Sequence, residues 1–237
     1  RSMSALNPRQ FKSVLFDMDG VLIDSEPMWK IAMEDVFSSL GSRLTKEDFQ
    51  RTVGLRIDQV VSFWNAEESW GIEDPNWVVD QIIDQMIELV AENPSPLPGV
   101  IETLDYLQSL PIKIGLATSS PIRLMQSVLF HMGLSDCFHT TCSAEKEPYG
   151  KPHPAVYLRA AEELSVVPQA CLVIEDSLNG IISGKAAFMK VVCIPEKTHH
   201  PNSRLNLADF HYSVMTQFLD DFRAQWNHPN SNGIVPL

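Results

Sequence analysis

Short runs of branched and aromatic residues recur along the chain, and each has the length expected of a buried β-strand. Segments with the apolar spacing of a helix separate the later runs, for example residues 121–133 and 153–164. Such alternation of strand and helix is typical of a parallel sheet with helices on both faces. The sequence therefore predicts an α/β fold with a Rossmann-like parallel sheet built from residues 13–16, 113–117, 138–141, 170–174 and 191–194.

The segment between the first two predicted strands has a helical pattern throughout. Apolar residues at i, i+3, i+4 and i+7 predict a helix around residues 29–40, with further helices around 58–64 and 78–90. Prolines at positions 94, 96 and 98 then interrupt the pattern, as often happens at a domain boundary. We therefore expect a small all-helical insert, the cap. The predicted division is an α/β core of residues 11–24 and 97–222, a helical cap of residues 25–96 and a C-terminal tail of residues 223–237.

Polar side chains follow three of the predicted strands where each strand ends: Asp17 and Asp19, Thr118 and Ser119, and Glu175 and Asp176. Because the carboxyl ends of parallel strands meet at one rim of the sheet, where ligands bind in such folds, these side chains are expected to lie together. Lys151 precedes a predicted helix and could reach the same rim. Each group also has a local explanation as a turn, a helix cap, a partner of a helix dipole or a solvated side chain. Their coincidence at strand ends favours one shared site.

The residue types at this rim indicate phosphoryl chemistry. Carboxylates offer the oxygen ligands that Mg²⁺ prefers, and Mg²⁺ commonly binds phosphate as well. A hydroxyl group, the backbone N–H groups at a helix start and one lysine suit a phosphoryl group. The chain has no Gly-rich loop of the common nucleotide-binding types. Because the sequence also shows no triad-like Ser or Cys signature, the natural nucleophile is an aspartate that forms an aspartyl-phosphate.

Composition narrows the range of partners. A formal net charge of −12 argues against nucleic acid or an anionic membrane as the main partner. The four cysteines lie in or beside apolar runs without CxxC spacing, which suggests reduced residues and a cytoplasmic setting. The sequence contains no stretch apolar enough to span a membrane and no secretory signal pattern. We expect a cytoplasmic monomer that acts on a small phosphorylated molecule.

The motifs resemble those of the haloacid dehalogenase superfamily of phosphohydrolases. Its first motif is similar to residues 17–27, which have the sequence DMDGVLIDSEP. Thr118 resembles the second motif, Lys151-Pro152 the third and residues 175–177 the fourth. The resemblance covers residues 14–195, nearly the whole predicted core. It implies that the helical insert is the small cap of this superfamily, which closes over the substrate and excludes water.

The resemblance also implies specific roles. Asp17 would be the nucleophile, and Asp19 would protonate the leaving alcohol and then activate water. Thr118, the Ser119 backbone and Lys151 would hold the phosphoryl group. The implied Mg²⁺ ligands are the Asp17 side chain, the Asp19 backbone carbonyl, Glu175 and Asp176.

Within the superfamily, the chain is most similar to the β-phosphoglucomutase-like branch, and there to phosphatases of hexitol phosphates and 2-deoxyglucose-6-phosphate. Residues 54–58 and 145–154 carry this likeness. It implies a phosphorylated sugar as substrate, with Asp24, Gly54 and Arg56 as candidate substrate contacts. Arg56 could equally cap the following helix or be solvated.

Other reactions remain as alternatives to hydrolysis. The mutases of this branch have a histidine where this chain has Trp29, and a cap arginine where it has Ile57, and both differences favour a phosphatase. A phosphonate-cleaving relative would need a cap lysine that forms an imine, and nothing marks Lys30 or Lys46 for that role. A non-catalytic binding protein should lack some of the motif residues, but all of the required types are present.

Overall fold

The computed structural model describes residues 5–196 and 202–229, and within these ranges one six-stranded parallel sheet forms the centre of the protein. The strand order is β3-β2-β1-β4-β5-β6. This confirms the predicted α/β class with a Rossmann-like sheet. The strands are β1 (Ser13–Phe16), β2 (Lys113–Thr118), β3 (Thr140–Ser143), β4 (Cys171–Glu175), β5 (Lys190–Cys193) and β6 (Phe210–His211).

Two details of the predicted strands are corrected. The third strand begins two residues later than expected, because Phe138 belongs to the preceding turn and packs its ring edge-on against Phe16. An apolar residue at position 138 therefore reflects its packing against the core and not membership of the strand. The two-residue strand β6 was not predicted, since a run so short carries no pattern of its own.

The central strand β1 aligns the ends of its neighbours. Phe16, its last residue, pairs with Leu116 of β2 on one side and with Ile174 of β4 on the other. All four residues of β1 are buried, as expected for a strand covered on both faces. The residues that follow Phe16, Leu116 and Ile174 therefore emerge at the same level of one rim.

Helices cover both faces of the sheet. Val14 and Phe16 belong to one buried cluster and Leu15 to the other, as the alternation of side chains along a strand requires. The first cluster includes residues of α4, α5 and α8, and the second includes residues of α6 and α7. These helices are α4 (Val100–Gln108), α5 (Ile122–His131), α6 (Ala155–Leu164), α7 (Leu178–Ala186) and α8 (Met215–Asn227).

The segment between β1 and α4 is helical, as predicted. It contains α1 (Glu26–Ser38), α2 (Ile57–Glu68) and α3 (Asn76–Glu92). The chain enters and leaves this segment at adjacent points, because Ile23 bridges Pro96 and the Leu97 N–H donates to the Leu22 carbonyl at 2.8 Å. A unit inserted into the core must have its entering and leaving connections close together, and this helical segment does. We keep the name cap for residues 25–96, whose limits stay a prediction.

The C-terminal boundary of the core differs from the prediction. The helix α8 continues to Asn227, so the tail does not begin at residue 223. Trp226 stacks on Phe222, and its carbonyl accepts two hydrogen bonds from the Arg9 guanidinium, at 2.8 and 3.0 Å. Residues 230–237 of the predicted tail lie outside the described residues. Across residues 5–196 and 202–229, none of the helices has the length and apolar character needed to cross a bilayer.

Candidate active site

A cavity of about 100 Å³ lies at the rim where β1, β2 and β4 end, between the core and the cap. Most of the residues predicted for the site surround it, but not all of them. Thr118 and Glu175 are fully buried behind its wall, and neither Asp24, which is exposed, nor Arg56 lines it. The predicted site residues that do line it are Asp17, Asp19, Gly54, Ser119, Lys151 and Asp176.

Lys151 is buried and holds several strand ends together. Its Nζ donates to Asp17 Oδ1 at 2.9 Å, to Glu175 Oε1 at 2.7 Å and to the Ala117 carbonyl at 2.9 Å. Asp17 directly follows β1, Glu175 is the last residue of β4, and Ala117 is the last residue but one of β2. An ammonium group has three protons, so these three bonds use all of them. Lys151 therefore connects the three strands at the level of the cavity.

Tyr157 completes this cluster, and the sequence did not indicate it. Its hydroxyl donates to Glu175 Oε1 at 2.5 Å and lies 3.3 Å from Lys151 Nζ. Tyr157 is fully buried, whereas Leu158 beside it on α6 is exposed. A buried tyrosine hydroxyl requires a partner, and Glu175 and Lys151 meet that need.

The carboxylates of this cluster carry more negative charge than Lys151 can neutralise. Burial, reinforced by Glu175 and Asp19, raises the pKa of Asp17 to about 8 although Lys151 opposes the shift. Burial and the charges of Asp17 and Glu175 also raise the pKa of Asp176 well above its usual value. Burial would lower the pKa of Lys151, but its two carboxylate partners raise it instead. The site is therefore suited to a cation.

Asp17, Glu175 and Asp176 could hold that cation. One carboxylate oxygen of each lies within 4.8 Å of the others, and all three residues are buried. An all-oxygen set with room for water fits Mg²⁺. The Asp19 carboxylate is not part of this group, so Asp19 could contribute only its backbone carbonyl, as the family resemblance implied.

Two glycines leave room for the closely packed carboxylates of Asp176 and Glu175. Gly20 has φ +78°, and a Cβ there would lie 2.0 Å from Asp176 Oδ2. A Cβ on Gly180 of α7 would lie 2.0 Å from Glu175 Oε2. Any larger residue at either position would displace a carboxylate of the cluster.

The Asp19 carboxylate has its own set of partners. Its Oδ1 accepts hydrogen bonds from Ser25 Oγ at 2.6 Å and Trp29 Nε1 at 3.0 Å, and its Oδ2 accepts one from Ser120 Oγ at 2.7 Å. Ser120 does not cap the following helix, because that helix begins after Pro121, and its first N–H group donates to Glu145 at 2.8 Å. The hydroxyl of Ser120 therefore serves Asp19.

Thr118 and Ser119 lie at the end of β2, as predicted. Thr118 Oγ1 accepts a hydrogen bond from the Ser120 N–H at 3.0 Å. Ser119 Oγ donates to the Gly54 carbonyl at 3.1 Å, which ties the core to the cap. Their predicted role in binding a phosphoryl group stays a prediction.

The cap loop that contains Gly54 is docked on the core. The neighbouring Val53 carbonyl accepts a hydrogen bond from Asn179 Nδ2 of α7 at 2.8 Å. Gly54 has φ +84°, and a Cβ there would lie 2.6 Å from Ser177 Oγ. The structure therefore shows the cap in contact with the rim, and Gly54 allows the close approach.

Arg56 lies outside the cavity lining and bonds other parts of the protein. Its Nε and Nη2 bond the carboxylate of Asp58 at 2.7 and 3.0 Å, and its Nη1 donates to the carbonyls of Ala144 and Glu147 at 2.9 and 2.8 Å. A longer bond of 3.4 Å reaches the Pro148 carbonyl. These contacts occupy the five N–H groups of a guanidinium. Arg56 therefore links the cap to the core loop 144–148, and its role as a substrate contact stays a prediction.

Comparisons with known proteins identify the family. A model of haloacid dehalogenase-like hydrolases matches residues 14–194. The chain belongs to this family. Hexitol phosphatase B of Escherichia coli strain K12 is 42% identical over 211 residues, which cover 89% of this chain and 95% of that protein. A phosphorylated carbohydrates phosphatase of Thermotoga maritima is 34% identical over 179 residues, 74% of this chain and 81% of that protein.

The comparison with solved structures places this haloacid dehalogenase-like hydrolase in the same family as the sequence comparison does. The crystal structure of a β-phosphoglucomutase from Clostridium difficile matches 92% of this chain and 99% of its own, with a TM-score of 0.78 and 25% identity. The family and branch predicted from the motifs are therefore confirmed, and so is the class of phosphoric monoester hydrolase. The predicted monomeric state and cytoplasmic location stay predictions.

The link made by Arg56 in this hydrolase can be tested by hydrogen–deuterium exchange. Arg56→Ala removes several charge-assisted hydrogen bonds, each of which contributes about 1.5–3 kcal/mol. We expect the amide hydrogens of Leu55 and Glu147, which bond within their own loops, to exchange roughly 10-fold faster or more. Arg51→Ala is the matched control, because the Arg51 side chain is 55% exposed on the cap surface. Unchanged exchange at both amides in Arg56→Ala would contradict the link.

Proposed function

We propose that this chain is a Mg²⁺-dependent phosphatase that hydrolyses small phosphorylated sugars, hexose or hexitol phosphates, through an aspartyl-phosphate intermediate. The observation that carries the proposal is the buried Asp17 carboxylate at the cavity wall, with one oxygen held by Lys151 and two further carboxylates beside it. An ordinary turn would not bury three acidic side chains and a lysine together.

In the proposed first step, Asp17 attacks phosphorus. Because Oδ1 accepts a hydrogen bond from Lys151, Oδ2 is the oxygen left to form the new bond. The bond from phosphorus to the sugar oxygen breaks, and Asp19 gives its proton to that leaving oxygen. The products of this step are the free sugar alcohol and phosphorylated Asp17.

In the proposed second step, a water molecule attacks phosphorus and transfers its proton to Asp19. The bond between phosphorus and Asp17 breaks, which releases inorganic phosphate and restores both aspartates. Asp19 thus ends the cycle protonated again, with a proton taken from the attacking water in place of the one that left with the sugar alcohol.

The surrounding groups would stabilise the phosphoryl group. Thr118, the Ser119 backbone and Lys151 are the proposed contacts, and Lys151 would contribute mainly its charge, because its protons already have acceptors. Mg²⁺ held by Asp17, Glu175 and Asp176, together with the Asp19 carbonyl, would supply positive charge against the phosphoryl oxygens.

The substrate class rests on the relatives and on the cavity. The E. coli relative is named a hexitol phosphatase and the T. maritima relative a phosphatase of phosphorylated carbohydrates. On the cap side, the cavity has the polar side chains Glu26, Lys30 and Thr52 beside apolar ones such as Met33 and Phe49. Hydroxyl groups and the carbon chain of a sugar would suit such a mixed wall.

A phosphosugar mutase is the alternative, and the likeness to the C. difficile mutase is the observation in its favour. A mutase has to bind a second phosphate in the cap. Ile57, where the resemblance to the mutases implies an arginine, is apolar and lines the cavity. Lys30 is the cap lysine at the cavity, and it forms an ion pair with Glu26 at 3.3 Å. Hydrolysis therefore remains the better supported reaction.

The proposed reaction can be tested by measuring phosphate release from a panel of phosphate monoesters. Phosphate release with Mg²⁺ should be most efficient, in kcat/KM, for hexitol or hexose monophosphates over pentose and nucleoside monophosphates. Asp17→Asn should lose roughly a thousandfold or more in kcat, because the nucleophile is removed. Asp220→Asn, an exposed carboxylate on α8, is the matched control and should behave as the wild type.

Three results of this panel would count against the proposal. Activity retained in Asp17→Asn would contradict the nucleophile, and a clear preference for nucleoside monophosphates would contradict the substrate class. Interconversion of two sugar phosphates with little free phosphate would establish the mutase instead.

Thermal unfolding with and without Mg²⁺ tests the proposed metal site. A ligand at a hundredfold excess over its Kd stabilises a folded protein by about 2.7 kcal/mol, so Mg²⁺ should raise the Tm of the wild type. Asp176→Asn should lose this rise and should be more stable than the wild type in EDTA, because one buried charge is gone. The rise should be larger above the Asp17 pKa of about 8 than below it, since protons compete with the metal. An equal rise in Asp176→Asn would contradict the site.

A further inference from the structure

The two oxygens of the Glu175 carboxylate have different surroundings. Oε1 accepts hydrogen bonds from Lys151 Nζ at 2.7 Å and from the Tyr157 hydroxyl at 2.5 Å. Because a carboxylate oxygen has two lone pairs, these two donors fill Oε1. Oε2 accepts the Asp176 backbone N–H at the longer distance of 3.3 Å, which leaves it a lone pair. Oε2 is therefore the oxygen of Glu175 that can bind a metal ion.

The Tyr157 hydroxyl is explained by this contact and not by packing. Tyr157 lies on α6, fully buried in the same cluster as Leu15, where a phenylalanine ring would fill the same space. A buried hydroxyl is unfavourable unless it forms a hydrogen bond. Burial and the charges of Glu175 and Asp17 raise the pKa of Tyr157 well above its usual value, so the hydroxyl keeps its proton. It therefore acts as a donor to Oε1.

The Glu175 side chain has little freedom to turn. It is fully buried, and a Cβ on Gly180 would lie 2.0 Å from Oε2 and 2.2 Å from Oε1. The carboxylate thus packs directly against the backbone of α7, while Lys151 and Tyr157 hold it through Oε1. Loss of either donor would free a lone pair of Oε1 next to the other carboxylates of the cluster.

The number of oxygens that a carboxylate offers affects which ion it binds. Ca²⁺ takes about six to eight oxygen ligands, often with both oxygens of one carboxylate, whereas Mg²⁺ requires near-ideal octahedral geometry. A carboxylate that is held to one free oxygen therefore suits Mg²⁺, and one that can present both oxygens suits Ca²⁺.

We propose that Tyr157 is a positioning residue for the metal site: together with Lys151 it saturates Glu175 Oε1, so that Glu175 binds a cation through Oε2 alone and the site prefers Mg²⁺ to Ca²⁺. This inference rests on the Mg²⁺ site of the proposed function. It goes beyond that function by assigning the choice of ion to a hydroxyl group outside the set of metal ligands.

The test measures the rise in Tm of the metal-free protein, without substrate, as Mg²⁺ or Ca²⁺ is added, which gives a Kd for each ion. Tyr157→Phe keeps the ring and removes the hydroxyl. We expect its Kd for Mg²⁺ to rise roughly 10-fold, since the loss of a hydrogen-bond partner of a metal ligand commonly weakens metal binding by about that factor or more. Its Kd for Ca²⁺ should change by less than about 3-fold, because the freed oxygen offers Ca²⁺ a further contact.

The ratio of the two Kd values separates positioning from a merely structural role. An equal change in both Kd values, or no change in either, would overturn the role of Tyr157. Tyr149→Phe is the matched control and should bind both ions as the wild type does, because Tyr149 is 59% exposed. Absence of Mg²⁺ binding by the wild type would overturn the proposed metal site and this inference with it. Activity retained in Asp17→Asn would overturn the proposed reaction alone.

A crystal structure of the wild type grown with Ca²⁺ covers the case in which Tyr157→Phe does not fold. Ca²⁺ is the stricter probe, since it tends to bind both oxygens of a carboxylate. We expect Glu175 Oε2 within about 2.6 Å of the ion, with Oε1 still bonded to Tyr157 and Lys151. Both oxygens of Glu175 at the ion would contradict the proposal.

Discussion

The hydrogen bonds of the buried Lys151 ammonium group are the interaction on which the rest of the site depends. They join the Asp17 carboxylate after β1, the Ala117 carbonyl of β2 and the Glu175 carboxylate of β4. Breaking a buried charge pair by removing one partner costs about 3–5 kcal/mol, because the other charge is left without compensation. Tyr157 gives Glu175 a further donor from α6. One cation thus ties three strands and a helix to the same point.

That arrangement leaves a surplus of negative charge, and the surplus gives the site its chemistry. Lys151 cannot neutralise Asp17, Glu175 and Asp176 together, so the group favours a second cation. A buried carboxylate with a raised pKa is less stable as an anion. A bound metal ion would stabilise these carboxylates and would also offset the negative charge of an incoming phosphoryl group. Asp19 is not part of this group, and its carboxylate accepts hydrogen bonds from neutral side chains. This environment suits a side chain that has to gain and lose a proton.

The sheet and most of the rim could be predicted from the sequence, because buried strands and the residues that end them carry a local pattern. The hydrogen bonds of Tyr157, Ser25 and Ser120 could not be predicted, because they depend on the folded geometry of the rim and no pattern within these segments indicates them. Arg56 shows the same difficulty, because its carbonyl partners lie about 90 residues away along the chain. Trp29 was noted as a departure from the mutases, but only the geometry shows that its indole reaches Asp19.

Whether Asp17 carries the phosphoryl group can be measured by rapid acid quenching during turnover of a hexitol phosphate, followed by peptide mapping with mass spectrometry. We expect a phosphate adduct on the peptide that contains Asp17, no adduct in Asp17→Asn and a longer-lived adduct in Asp19→Asn, where the base for water is missing. An adduct on another residue, or turnover by the wild type without any adduct, would contradict it.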